Sequence, residues 1–156
     1  MLDATSNRML PPTLQRSERN TPESINERIR RETEERVAQT LAGGQPAIAA
    51  RLRELDAEWD TERTLETMAA SFTISGLLLG VTVDRRWLWL SGLVSGFLLQ
   101  HALQGFCPPL PVIRALGVRT AAEIDQERYA LKAARGDFEQ LRGAAQPAQL
   151  LAAAIY

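Results

Sequence analysis

Four side chains that could do chemistry stand close together at the end of an apolar stretch: Gln100, His101, Gln104 and Cys107. In a helix the two glutamines lie one turn apart on one face, with His101 about 100° further round than Gln100. An ionisable group inside an apolar stretch is a candidate for a proton relay or a substrate contact. The alternative is a structural histidine that bonds a helix neighbour or the headgroup zone. We favour it because the last two turns of such a helix reach interfacial water.

Cys107 is the single cysteine of the chain, so it forms no internal disulfide. Together with one histidine six residues earlier, it falls short of a metal site. A reactive thiolate would need a nearby cation or helix N-terminus, and a short helix from Pro111 to Gly117 would place such a terminus close in sequence. We expect a structural or at most redox-sensitive cysteine, with no catalytic residue, metal or cofactor.

The elements that position these residues follow from the charge pattern. Between Glu66 and Arg114 the only formal charges are three adjacent ones in the middle of the stretch, Asp84, Arg85 and Arg86. The segments on either side, 67–83 and 87–106, are long enough at about 1.5 Å per residue to cross a hydrocarbon core of about 30 Å, the first of them barely. Neither keeps the polar stripe of a soluble helix. The pattern therefore predicts a two-helix transmembrane hairpin rather than a buried hairpin of a soluble core.

Small residues predict close helix packing within this hairpin. Gly76 and Gly80 form one GxxxG spacing, and Gly92 and Gly96 form another. In a lipid medium such grooves let backbones approach closely. The spacing leaves open whether the grooves meet within one hairpin or between two protomers, so a homodimer is plausible.

The flanks complete an all-α membrane protein, with amphipathic cytosolic helices before and after the hairpin. Residues 21–66 are predicted to form an amphipathic helical region. Its second helix carries an apolar stripe that consists of Ile48, Leu52, Leu55, Trp59 and Leu65. Residues 107–119 form a proline-rich interfacial segment. We expect a disordered tail over 1–20 and a mobile alanine-rich tail over 143–156.

The C-terminal helix is expected over residues 120–142, after a capping box from Thr120 to Glu123. Ile124, Leu131 and Phe138 recur every seven residues and form a narrow apolar seam. This seam could pair with the stripe of the preceding amphipathic helix or with a second protomer. We favour packing within the chain, because three repeats are few.

Charge distribution suggests the orientation and excludes one class of partner. The formal net charges are near −3 before the hairpin and +1 after it, too balanced for nucleic-acid binding as the main activity. The first residues lack the apolar core of a secretory leader, so we expect none. With both termini cytoplasmic, only the charged turn would cross the bilayer, and we predict this orientation.

Several motifs together resemble the YgaP-like inner-membrane transmembrane domain. They are Glu62-Arg-Thr-Leu-Glu66, the glycine-patterned helices, Gly105-Phe-Cys107-Pro108 and Leu116-Gly117, within about residues 62–117. The resemblance implies a short bacterial two-helix hairpin, in a family much of which has no assigned function. In the namesake the hairpin follows a rhodanese domain, a sulfurtransferase with its catalytic cysteine in a soluble loop. The soluble flanks here have no cysteine, so no such nucleophile carries over.

These observations predict a non-enzymatic protein of the bacterial inner (plasma) membrane, multi-pass, that anchors cytosolic helices. Its expected partners are the lipid bilayer, a second copy of itself as a homo-oligomer, and an unidentified membrane or cytosolic protein. The alternative is an oligomeric small-solute transporter or a redox or sulfur-linked membrane component that uses the region of His101 and Cys107. A soluble enzyme is the weakest option, because no catalytic constellation is visible.

Overall fold

The computed structural model describes residues 15–139, and within this range all regular structure is helical. The predicted all-α class is therefore confirmed. The helices are α1 (Arg16–Arg19), α2 (Glu23–Ala42), α3 (Gly44–Ala57), α4 (Thr61–Thr82), a 3₁₀ turn (Arg85–Trp87), α5 (Leu88–Gln104), α6 (Leu110–Ala115) and α7 (Ala121–Arg135). The predicted tail over 143–156 lies outside the described residues.

The chain forms two compact units. Among the described residues, the first contains 15–29 and 59–122, and the second contains 30–58 and 123–139. Each unit has its own buried apolar cluster. The first cluster consists of Leu65, Cys107, Leu110 and Ile113, and the second of Ile48, Leu52, Leu55, Ile124 and Leu131.

In the first unit α4 begins earlier than the predicted limb at residue 67. Asp60 caps the helix, because its carboxylate accepts the backbone N–H of Arg63 at 2.7 Å. The stripe predicted from Ile48 through Leu65 is wrong at its end, since α3 stops at Ala57. Leu65 is buried in the core of the first unit, whereas Trp59 is 47% exposed and lies under the Arg63 guanidinium, 4.3 Å from the ring centroid.

Helices α4 and α5 pack against each other on either side of the 3₁₀ turn. A side chain at Gly76 would come within 2.5 Å of the Ser91 hydroxyl, and one at Gly80 within 2.5 Å of Leu88. The Ser91 hydroxyl donates to the carbonyl of Thr73 at 2.9 Å. Glycine at both α4 positions thus lets α5 approach the α4 backbone. We call the end of this pair with the 3₁₀ turn the tip, and the opposite end the base.

The outer surface of the helix pair is apolar. Large side chains with more than half of their surface exposed include Phe72, Ile74, Leu78, Val81, Val83, Trp89, Leu93, Leu99 and Leu103. The hydroxyls of Ser71, Ser75 and Thr82 donate to carbonyls one turn back, so they are satisfied within α4. By length and composition, one candidate membrane span is found within the described residues, in Gly44–Thr82. Crossing by α5, which has 17 residues, stays a prediction.

The second unit packs α3 and α7 through the apolar cluster defined above, with Val37 of α2 against it. Ile124 and Leu131 of the predicted seam are therefore buried within the chain, and Phe138 lies beside Tyr129 with ring centroids 6.4 Å apart. α7 ends at Arg135 rather than near residue 142, because Gly136 adopts φ +90°, a left-handed conformation that stops a helix.

A buried ion pair joins the same two helices. The Arg51 Nε donates to Glu127 Oε1 at 2.7 Å, and the Glu127 side chain is fully buried. Donation to the Glu127 carboxylate raises the pKa of the Arg51 guanidinium. Across the same interface Arg128 donates to the carbonyl of Leu55 at 3.1 Å. Polar contacts thus fix the register of the two helices around their apolar cluster.

Residues 1–20 were predicted as a disordered tail, and the described part of that segment differs. It contains helix α1, and Ser17 and Thr21 are buried. The order has a tertiary cause, because α1 is held by contacts with the base of the helix pair that local sequence does not indicate.

Candidate functional site at the base of the helix pair

Glu62 lies at the centre of a polar cluster at the base. It stands in the first turn of α4, where an acidic side chain also favours the helix N-terminus. Ser17 donates to its Oε1 at 3.0 Å, and Arg16 approaches its Oε2 at 3.3 Å. The imidazole Nε2 of His101 lies 2.9 Å from the same Oε2. Three groups from α1 and α5 therefore converge on one carboxylate of α4, which favours its ionised form.

His101, one of the sequence-predicted site residues, is 2% exposed in the last turn of α5. Because Glu62 is an ionised acceptor, Nε2 carries the proton and donates to it. The other ring nitrogen, Nδ1, is buried and has no hydrogen-bond partner in the described part of the chain. The ring is thus oriented by a carboxylate on one side and retains a free lone pair on the other when neutral.

Helix α1 caps the end of α5. Arg16 donates to the carbonyl of Ala102 at 3.2 Å, and Asn20 donates to the carbonyl of Gln104 at 3.1 Å. These carbonyls belong to the last turn of α5, where no intrahelical donor is available. Gly105 ends α5 at φ +76°, and a side chain there would come within 2.6 Å of Arg16. Glycine is therefore required both by the backbone conformation and by the close approach of α1.

A second set of polar contacts ties α2 to α6. The guanidinium of Arg114, which is fully buried, donates to the Val118 carbonyl and to the Asn26 side chain, both at 3.0 Å. Arg28 donates to the carbonyl of Ala115 at 2.6 Å. Backbone acceptors at the end of a short helix thus bind cations from α2 and α6, as the helix dipole favours.

The segment after α6 is joined to the start of α4. Thr61 is fully buried, and both its N–H and its hydroxyl donate to the carbonyl of Arg119, at 2.8 and 3.0 Å. The Thr120 hydroxyl donates to Glu18 in α1 at 3.4 Å. The base is therefore one connected polar network that includes α1, α2, α4, α5 and α6.

Cys107 lies in a different environment from His101. It is 7% exposed and belongs to the apolar cluster of Leu65, Leu110 and Ile113. It also lines an apolar cavity of about 260 Å³ between α4 and α5, with Phe97 among the other lining residues. Burial raises the pKa of the Cys107 thiol, so the thiolate is disfavoured.

The remaining predicted residues are placed separately. Gln100 is half-buried, and the Gln104 side chain is exposed while its carbonyl bonds Asn20. Ideal side-chain positions at Gly92 and Gly96 meet no atom within 4 Å, so this second glycine pair faces open space on α5. In the described range no group of three or more His, Cys, Asp or Glu residues could hold a metal ion.

Sequence reasoning missed Glu62 and Arg16 as site residues. Arg16 lay in the predicted disordered tail, and Glu62 was noted only as part of a family motif in the amphipathic region. The hairpin itself could have indicated Glu62. In an antiparallel helix pair the first turn of α4 lies beside the last turn of α5, and Glu62 is an acid in that first turn, level with the single histidine.

An apolar helix pair with a polar network at one end defines a small all-α membrane protein. Residues 60–123 match a family model described as the transmembrane domain of inner membrane protein YgaP-like proteins. The predicted family resemblance is thereby confirmed for this segment, which is less than half of the 156-residue chain. No curated protein and no solved structure matches the chain.

Proposed function

We propose that this membrane protein is a non-enzymatic anchor that holds a helical soluble unit at the bacterial inner membrane. The observation that carries the proposal is the network around Glu62. It ties α1, which precedes the soluble helices in sequence, directly to the base of the helix pair. A protein that only needed to stay in the bilayer would have no use for such a connection.

The soluble unit has the properties of a preformed attachment platform. Its helices share a closed apolar cluster and the Arg51–Glu127 ion pair, so their fold does not depend on lipid. Its outer face offers charged side chains of both signs, including Glu34, Glu35, Arg30 and Arg53. Such a surface suits contact with another protein better than contact with an anionic bilayer.

The anchoring proposal includes crossing by both helices, with both termini cytoplasmic. The exposed apolar side chains on α4 and α5 support this arrangement, since Phe72 of α4 and Leu99 of α5 are each more than half exposed. The short charged turn at the tip is the least costly part to translocate.

Self-association through α5 is the second part of the proposal. Gly76 and Gly80 are already used for contact between α4 and α5, whereas Gly92 and Gly96 leave an open groove. In lipid, small residues allow a second helix to approach closely, and this gives a homodimer its interface. A dimer would present two soluble units side by side on one membrane.

The native mass of the full chain in nanodiscs tests self-association. We expect a dimer for the natural sequence and a monomer for Gly92→Ile with Gly96→Ile. The matched control is Ala70→Ile, which adds similar bulk at an exposed position on α4 and should leave the dimer intact. A helical circular dichroism spectrum for all three proteins ensures that the comparison is between folded chains.

A dimer that survives the double substitution would contradict the assigned interface. A monomer in the natural sequence would contradict self-association altogether, and the anchor would then serve a different protein as its partner. Recruitment is tested by crosslinking in the native membrane. The expected result is a partner captured by Arg53→Cys in a Cys107→Ser background and not captured by Arg85→Cys in the same background.

A second candidate is a small conduit or a redox-linked membrane component. The observations that favour it are the unpartnered Nδ1 of His101 and the apolar cavity lined by Cys107. Two helices alone cannot enclose a path across the membrane, so this function needs several copies of the chain. Flux or redox activity that is lost in Cys107→Ser or His101→Gln, with the native mass unchanged, would favour it over the anchor. Full function in both variants would eliminate it.

A further inference from the structure

We propose that the tip of the helix pair binds the phosphate of an anionic phospholipid through Arg85 and Arg86. Both arginines lie exposed in the 3₁₀ turn that joins α4 to α5. Neither guanidinium forms an ion pair with a residue in the described range. Two adjacent, uncommitted guanidinium groups therefore stand at the end of an apolar helix pair.

The acid beside them is committed to the backbone. Asp84 adopts an extended conformation, and its carboxylate accepts the N–H of Arg86 at 2.8 Å. This hydrogen bond closes the turn, as an N-cap does. The carboxylate thus stays with the backbone and leaves the turn with a net charge of +1 from its three charged residues.

Aromatic side chains set the depth of the turn. Trp87 is 44% exposed and Trp89 is 82% exposed, and the neighbouring Val83 is 69% exposed. Indole rings favour the headgroup layer, where the apolar ring meets lipid and the N–H meets water. With both rings at that level, the adjacent arginines lie among lipid phosphates rather than in bulk water.

Guanidinium chemistry suits this ligand. Arginine presents a planar set of donors that can bind two phosphate oxygens at once, and it is more weakly hydrated than lysine. A zwitterionic lipid brings its own cation to the phosphate, whereas an anionic lipid leaves the charge uncompensated. The net positive turn therefore selects the anionic class.

Lipid retention by the full chain tests the proposal. The protein is extracted from an equimolar mixture of phosphatidylglycerol and phosphatidylcholine, and the retained lipid is measured by native mass spectrometry. We expect preferential retention of phosphatidylglycerol, and a fall in that preference of about five-fold for each arginine replaced in Arg85→Gln and Arg86→Gln. Arg53→Gln is the control, because Arg53 is an exposed arginine of the second unit and is not part of the turn.

A further variant, Asp84→Asn, provides a test that does not depend on the folding of the Arg85→Gln and Arg86→Gln proteins. Asp84→Asn keeps the acceptor for the Arg86 N–H but removes the negative charge, so phosphatidylglycerol retention should rise. Added inorganic phosphate at constant ionic strength should leave lipid retention unchanged. Displacement by phosphate would assign a small-anion site instead. Equal retention of both lipids by the natural sequence, or a preference unchanged in all of these variants, would overturn the proposal.

Discussion

Glu62 is the residue on which the base of the helix pair depends. It accepts from Ser17 and His101 and pairs with Arg16, and its side chain is 30% exposed. Partial exposure limits the strength of each ion pair, because water screens the charges. The importance of Glu62 therefore lies in joining three helices at one carboxylate rather than in the strength of any single contact.

Replacement of Glu62 should release α1. Glu62→Gln keeps the shape of the side chain but removes its charge. The free energy of opening α1 should fall by about 1 kcal/mol, so its amide hydrogens should exchange about five-fold faster. The measurement is hydrogen exchange of the Asn20 and Thr21 amides, which donate to carbonyls of α1. Glu66→Gln is the matched control, since Glu66 is exposed in the next turn of α4. Equal exchange rates in the two variants would show that Glu62 does not hold α1.

The Cys107 thiol should react slowly. Burial raises its pKa, so at pH 7 its thiolate fraction is smaller than that of an exposed cysteine. Alkylation by iodoacetamide in the folded protein should be at least about ten-fold slower than in the denatured chain, and it should accelerate only at higher pH. Alkylation at neutral pH as fast as in the denatured chain would contradict the assigned environment and support a reactive, redox-linked cysteine.

At the scale of elements, close backbone contacts or a buried polar pair specify how two helices pack. For α4 and α5 these are Gly76 and Gly80, where larger side chains would collide with α5. For α3 and α7 it is the Arg51–Glu127 pair. Apolar contacts alone would allow the helices to slide, whereas these contacts fix their register.

Loss of the buried carboxylate should unfold the second unit at a lower temperature. Glu127→Gln leaves the Arg51 charge without its main partner, with an expected cost of about 3 kcal/mol, measured by thermal unfolding. Glu54→Gln is the control, because the Glu54 side chain also contacts Arg51 but is 64% exposed. The pKa of Arg51 is raised, so the contribution of its guanidinium to stability is complete below the ordinary arginine pKa and is lost only as the pH rises above that value. Equal stability of the two variants would contradict this role.

At the scale of the whole molecule, polar and apolar surfaces are separated along the first unit. The sides of α4 and α5 are apolar, the base carries a connected polar network, and the tip carries two arginines and two tryptophans. A helix pair with charged groups at both ends and none along its sides fits the proposed arrangement, in which only the two ends meet water.

The proposed topology places residues 15–58 and 107–139 on one side and the tip on the other. In a Cys107→Ser background, a cysteine replacing Arg85 should react with a membrane-impermeant maleimide from outside intact cells. A cysteine replacing Arg53 should react only after the membrane is broken. The reverse pattern would invert the orientation, and labelling of both positions from outside would show that the two helices do not both cross.

Elements with local or compositional causes could be predicted from the residues alone. Residue types and spacing predicted the apolar stretch interrupted at Asp84, the proline-rich segment that begins at Cys107, and the apolar seam of Ile124 and Leu131. The all-α membrane class and the family resemblance followed from them and are confirmed. Hydrophobic length and turn residues act over a few neighbours, so they can be read directly from the chain.

Which polar residues meet could not be predicted from the residues and is seen only in the folded chain. Arg16 lay in a segment predicted as disordered, Glu62 looked like a surface acid, and His101 had no evident partner. They come together through the register of α4 and α5, the turn at Gly105 and the packing of α1 on the base. Each of these depends on many small contacts between residues that are distant in sequence. The same reason separates the two glycine pairs: identical spacings at Gly76 and Gly92 face a neighbouring helix and open space, respectively.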